Sequence, residues 1–265
     1  MTVAAGQVQY NHGNPPCSGV GLSWASSDLE EAMSGPVATV LFDDAGRADI
    51  RNILTGLAET EFEQGRIAAI LNNSDEVEDW RVGEAIAETY LTEHRSCMFP
   101  WPDGRDERKS GSSLPGADLV GFCADESGDC LAFGEVKTSS EAKYPPGAMY
   151  GRTGLKQQME DLRDRAALRD DLLKYLCYRA TSADWRSRFE AAGKRYLHNS
   201  SDVRLYGVLI RDVNPNADDL RVRVQKLTKD CPNGTRIELL ALYLPAGSIN
   251  GLGQKAVSAR TGGSA

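Results

Sequence analysis

The chain is poor in histidine, with only His12, His94 and His198 among its 265 residues. These three lie far apart in sequence, so a zinc site built on imidazoles is not expected. Cysteine is sparse as well. The six thiols, Cys17, Cys97, Cys123, Cys130, Cys177 and Cys231, include no Cys-x-x-Cys pair, which removes zinc-ribbon and thioredoxin-type motifs. They are read as free thiols, although Cys123 and Cys130 bracket a predicted turn and can face each other across a hairpin. No run of about 18 uninterrupted apolar residues occurs, so no membrane span is expected. The start of the chain lacks the basic segment and apolar run of a secretory signal, and the expected location is cytoplasmic. There is also no Gly-rich phosphate loop and no Ser/His/Asp arrangement at a recognisable spacing. A small-molecule or purely structural role therefore has the least support.

What is present is ordinary in bulk and uneven in detail. Hydrophobic residues make up 41% and charged residues 26%, enough apolar material for a full core without a disulfide or zinc staple. The net charge of −8 hides an asymmetry. Residues 1–135 carry 8 basic and 24 acidic side chains, a net of −16, whereas residues 136–211 carry 15 and 9, a net of +6. A basic half can meet phosphate while an acidic half faces solvent or a partner; solvated helices that simply differ in charge explain the numbers equally well.

Along the chain, the first 35 residues are rich in Gly, Pro, Ser and Asn and read as loosely ordered, with a short strand over 19–24. The compact apolar run 37–42 suits a strand. Helical spacing follows over 50–71, broken near Gly65, and Ser74 or Asp75 is placed to start the next helix, 80–94. Residues 98–115 are loop-like. Strands are predicted over 117–122 and 130–138, separated by Asp125-Glu-Ser-Gly-Asp129, which is good turn chemistry. A long charged helix over 155–179 comes next, then a helix over 183–197 and a buried strand over 203–211. Residues 220–227 and 235–244 read as a strand pair, and the last 20 residues as a frayed tail. The order implies an α/β fold with a mixed sheet flanked by helices. The division expected is an N-terminal helical extension over 1–79, a catalytic domain over 80–245 and a flexible tail over 246–265.

The chemistry sits on the hairpin. Glu135 and Lys137 are two apart on a strand, so both side chains leave from one face. Asp118 opens the partner strand, and antiparallel pairing can bring it beside Glu135. Two carboxylates and an ammonium converging in a core are costly unless neutralised, and a hard divalent cation does so with the oxygen ligands it prefers. Held by Asp118 and Glu135, with the Val136 carbonyl as a third ligand, Mg2+ (or Mn2+ in its place) would polarise a phosphate and acidify a bound water. Lys137 would orient that water, and Thr138 and Ser139 could hydrogen-bond a phosphate.

Asp, a turn, then Glu-x-Lys on the next strand, preceded by an acidic helix, resembles the PD-(D/E)xK nuclease superfamily. The matching residues are Pro115, Asp118, Glu135 and Lys137, with Gly-Ala inserted between Pro115 and Asp118. The resemblance implies a restriction-endonuclease-like fold and a helical glutamate ahead of the hairpin; Glu84 fits, with Glu88 the competing choice. Some relatives place a supporting glutamine where Gln157 and Gln158 begin the following helix. Arg152, Lys156, Arg163 and Arg165 could form a phosphate-facing stripe, but Glu160, Asp161 and Asp164 interleave with them, so intrahelical ion pairs are equally reasonable. Trp185 and Tyr178 read as core, and Trp101 as an exposed side chain able to meet DNA or a partner.

More narrowly, Arg81-Val-Gly-Glu-Ala-Ile-Ala-Glu-Thr-Tyr-Leu91, Gly116-Ala-Asp118 and Phe133-Gly-Glu-Val-Lys137 are similar to the nuclease subunit of Hachiman anti-phage systems. That similarity implies a partner superfamily 2 helicase and DNA cleavage held in check until infection. The alternatives are a catalytically silent module that grips DNA or a helicase, and a stand-alone homodimeric restriction endonuclease.

Overall fold

The computed structural model describes residues 2–71, 77–106 and 116–262. The proline at 115 and the helix-start positions 74 and 75 lie outside the described residues.

A seven-stranded mixed sheet organises the chain. Its strands are β1 (Gln7–Asn14), β2 (Cys17–Ser23), β3 (Cys97–Met98), β4 (Leu119–Asp125), β5 (Gly128–Ser139), β6 (Val203–Arg211) and β7 (Arg236–Tyr243). They lie in the order β1-β2-β7-β6-β5-β4-β3. The centre, β2-β7-β6-β5, is parallel, and an antiparallel strand flanks it at each side, with the short β3 added beyond β4. The central strands are buried on both faces, which is why β6 is apolar apart from Arg204 and Arg211 and was predictable to its ends.

Helices cover the two faces. On one lie α1 (Ser26–Ser34), α2 (Pro36–Phe42), α5 (Asp79–His94) and α10 (Leu252–Gly262), whose Leu29, Val37, Val82, Ile86 and Leu252 meet Val136, Val208 and Leu240 of the strands. On the other lie α6 (Leu155–Asp164), α7 (Ala166–Arg179), α8 (Arg186–His198) and α9 (Arg221–Thr228), packed on Phe133, Leu205 and Leu239. Between α2 and α5 come α3 (Asp44–Thr55) and α4 (Glu61–Leu71), which pair with each other. Burying alternate β5 residues on opposite faces fixes which side chains can meet at the site.

Several expectations are corrected. Residues 37–42 form a helix, not a strand, because Pro36 supplies a helix first position and the segment packs against α5. The break in 50–71 falls between Thr55 and Glu61, and Gly65 lies within α4. The long helix over 155–179 is interrupted at Arg165, whose ψ of 92° is extended. Residues 220–227 are helical: the Val-Arg-Val alternation imitates a strand, but Arg223, Val224 and Leu227 are buried together at helical spacing. The first 35 residues hold two strands and a helix, so the boundary expected after residue 79 does not coincide with a break in the sheet. The expected tail forms α10, with Leu252 and Ala256 fully buried. Tyr178 is 82% exposed instead of core, whereas Trp185 is buried as expected. Among the described residues, no helix is long and apolar enough to cross a membrane.

Candidate active site

The β4–β5 register pairs Leu119 with Gly134 as the last rung, so residues 135–139 of β5 run past the start of β4. Asp118 stands where the next rung would be. Its carboxylate Oδ2 accepts the Val136 N–H at 2.8 Å, so a side chain takes over from the backbone ladder. The N–H and C=O of a strand residue leave on the same edge. The Val136 carbonyl therefore faces the side on which β4 has not begun.

Lys137 Nζ lies 3.4 Å from Asp118 Oδ2 and 3.5 Å from Glu135 Oε2. One ammonium thus serves two carboxylates. Glu135 is 1% exposed, and burial first, then the Asp118 charge, push its pKa up to about 9 against the partial relief that Lys137 gives. The structure brings together Asp118, Glu135, Val136 and Lys137, four of the residues singled out by sequence.

Glu84 belongs to the same neighbourhood from the opposite side. It lines a small cavity of about 60 Å³ together with Asp118, Arg81, Glu88 and Asp43. Both helical glutamates face this cavity, so the choice between Glu84 and Glu88 stays open. Their helix reaches β5 because residue 83 is glycine; a Cβ there would collide with Thr138 Oγ1.

Thr138 accordingly points at α5, across the sheet from Glu135 and Lys137, and its buried hydroxyl lacks a hydrogen-bond partner. Ser139 is buried and engaged with Arg211. Arg152 is exposed in the loop before α6. Lys156 pairs with Glu160 at 3.7 Å and Arg165 with Asp161 at 3.3 Å, while Arg163 binds Asp164 and the carbonyls of Lys226, Leu227 and Lys229. Of that basic stripe, only Arg152 stands clear of these intrahelical and carbonyl contacts. Gln157 donates to Asp161 at 3.0 Å, whereas the buried Gln158 Oε1 has no partner. Trp101 is half-buried, with Arg105 and Arg179 over its ring at 5.2 and 5.4 Å.

Sequence reasoning overlooked Arg211. It ends β6 beside Ser139, is fully buried, and donates to the Ser139, Glu141 and Lys143 carbonyls at 2.9, 2.8 and 3.0 Å. Asp219, also fully buried, sits 3.4 Å from its Nε. This clamp sets the path of the chain as it leaves the Glu-x-Lys strand. The available signal was an arginine closing a strand that is apolar from Leu205 to Ile210, a position where a charge must have found a buried partner.

Among the described residues, no group of three or more His, Cys, Asp or Glu side chains is arranged to hold a metal ion. The donors that do converge, two carboxylates and a backbone carbonyl, are all oxygen, which suits a hard cation whose shell water completes and is unsuited to zinc. The buried Glu135 carboxyl, sharing Lys137 with Asp118, is the feature that matters here. A carboxyl whose pKa is raised by burial first and by a neighbouring carboxylate second is a place where a cation would reverse the balance. Fold and site together define an α/β protein with an acidic pair and a lysine at the open end of a hairpin. No family model and no curated protein matches the chain.

Proposed function

We propose that the chain is a metal-dependent DNA nuclease that hydrolyses phosphodiester bonds, with Asp118, Glu135 and Lys137 as its working residues. The observation that carries this reading is the one lysine shared by two carboxylates where β5 overruns β4. Mg2+ at such a site supplies Lewis-acid polarisation of the phosphate and a more acidic water. The chain's own groups do the rest. The Val136 N–H fixes the Asp118 carboxylate. Asp118 and Glu135, the latter as its carboxylate, would hold the cation, and Lys137, with three donors on a flexible four-carbon stem, orients the attacking water and meets charge developing on the phosphoryl oxygens. Glu84, or Glu88 beside it in the same cavity, adds a carboxylate from the Asp118 side. Following the resemblance to Hachiman nuclease subunits, the natural context is an anti-phage complex with a superfamily 2 helicase.

Purified protein with supercoiled plasmid and linear duplex, in Mg2+, Mn2+ or EDTA, tests the proposal beside Glu135→Ala and Lys137→Ala. Metal-dependent nicking, lost by about 100-fold or more in each variant, supports it. If the plasmid stays intact, the assay is repeated with a candidate helicase and ATP. Cleavage then indicates a restrained enzyme, and DNA retention without cleavage in either format replaces the proposal with a binding module.

A further inference from the structure

Three cysteines stand in a row across three adjacent strands. Cys97 of β3 is the register partner of Cys123 of β4, and Cys123 is the register partner of Cys130 of β5. All three are buried on the α5 face, and none belongs to the acidic site. Strands lie about 4.8 Å apart, so the outer two sulfurs of such a row are far too separated to share a metal ion, whose Cys ligands sit about 2.3 Å from it.

The two pairs differ in kind. Ala124 N donates to Ser96 O at 3.1 Å, which makes 96/124 a hydrogen-bonded rung and 97/123 the non-hydrogen-bonded one. In that kind of rung the Cα atoms come within about 4.5 Å, inside the disulfide range. Cys123 and Cys130 occupy the wider rung by the same alternation, and the Cys130 thiol is already spent on the Cys123 carbonyl at 3.2 Å. Access differs as well. β3 is a two-residue edge strand, the kind of element that opens locally at little cost, and its opening bares Cys97 and Cys123 while Cys130 stays beneath.

Cys123 has both a carbonyl and a hydroxyl within reach: its thiol donates to the Arg95 carbonyl oxygen at 3.2 Å. Its Sγ lies 3.3 Å from the Tyr206 hydroxyl. The neighbouring Cys130 and Cys97 thiols and the Tyr206 hydroxyl, with Arg204 nearby, pull its thiol below the ordinary range against the opposing effect of burial, while Cys97 and Cys130 are pushed up. A thiolate beside a protonated thiol is the pairing that thiol oxidation uses.

We propose that Cys97 and Cys123 are an oxidisable pair, converted by a hydroperoxide into a cross-strand disulfide. The Cys123 thiolate attacks the peroxide oxygen to give a sulfenic acid, and with hydrogen peroxide one water leaves. The Cys97 thiol then displaces the sulfenic oxygen as a second water, forming the S–S bond, so that two thiols supply the two electrons that reduce the peroxide. The bridge closes a loop between β3 and β4 that contains Asp118.

The test treats the folded full-length chain with hydrogen peroxide, then denatures it, alkylates the remaining thiols and maps peptides. A Cys177→Ser background keeps its exposed thiol from joining chains. The expected result is the loss of two thiols, recovered with dithiothreitol, in one Cys97–Cys123 peptide. Cys130→Ala retains that loss and Cys97→Ser abolishes it. A Cys123–Cys130 peptide, or thiols that react only after unfolding in urea, overturns the proposal. The mapping on the background protein decides even if a cysteine variant folds poorly.

Discussion

Glu135 meets Asp118 where β4 has not yet begun, and the cost of that meeting falls on Glu135. Its folded pKa of about 9 stands above the ordinary 4.5, so the folded chain keeps a proton that the unfolded chain releases. The stability this group allows is present in full below the unfolded pKa and drains away as pH rises from 4.5 toward about 9. Glu135→Gln is neutral throughout and removes that dependence. In metal-free urea unfolding, the variant should therefore gain on the parent with rising pH, by on the order of 2–4 kcal/mol near pH 8. Equal slopes of stability against pH for the two proteins would show that Glu135 ionises normally. A second expectation concerns the same proton. Mg2+ binding near neutral pH should release about one proton per ion, read by calorimetry in buffers of different ionisation heat, and Glu135→Gln should release none.

At the scale of elements, the site depends on how closely α5 and the Ser139 turn approach β5. Gly83→Ala forces α5 away from Thr138 and carries Glu84 with it. The expected outcome is a fall in cleavage of about tenfold or more, since displacements of about 1 Å are costly in a site, with a stability loss of only about 1–3 kcal/mol. Unchanged cleavage would remove Glu84 from the working set. Arg211→Met strands Asp219 in the core without its ion pair and frees three carbonyls of the turn; a loss of about 3–5 kcal/mol is expected in chemical denaturation. The parts legible in sequence were those with redundant signals. The β4–β5 hairpin has alternation, turn residues and length in agreement, and Asp118, Glu135 and Lys137 came with it. β1 was overlooked because its alternation rests on Val8 and Tyr10 alone, amid Gln, Asn and His in a largely exposed edge strand. α2 and α9 were misread because a run of six to eight apolar or alternating residues does not state its period, and tertiary packing decides. Arg211 escaped because its partners come from the turn after Ser139 and from Asp219, and only the folded register joins them.

Across the whole molecule, part of the positive surplus of the second half is consumed from within. Asp106 pairs with Arg179 at 2.6 Å, Asp129 with Arg188 at 2.7 Å, and Asp125 with Arg195 at 2.8 Å and with Arg204. Acids of the first half thus neutralise bases of the second across β4, β5 and the α7–α8 side, which leaves less free positive surface than the sequence count suggests. The α3–α4 hairpin departs from this economy of contact: Ile53, Leu57 and Phe62 are 66%, 71% and 77% exposed. Phe62→Ser should therefore alter unfolding free energy by no more than about 0.5 kcal/mol. A larger loss would show that the ring is packed in solution. The strand order has a consequence in time. β2 is complete by Ser23, yet its parallel neighbour β7 starts only at Arg236. At about 5–20 residues per second, a ribosome leaves the β1–β2 hairpin waiting roughly 10–40 s for its seat. In the last part of that interval, the roughly 1–5 s between Arg211 and Arg236, the nascent chain already contains Asp118, Glu135 and Lys137 but exposes bare edges on β2 and β6, so the last strand made is the one that turns an adhesive intermediate into a finished sheet.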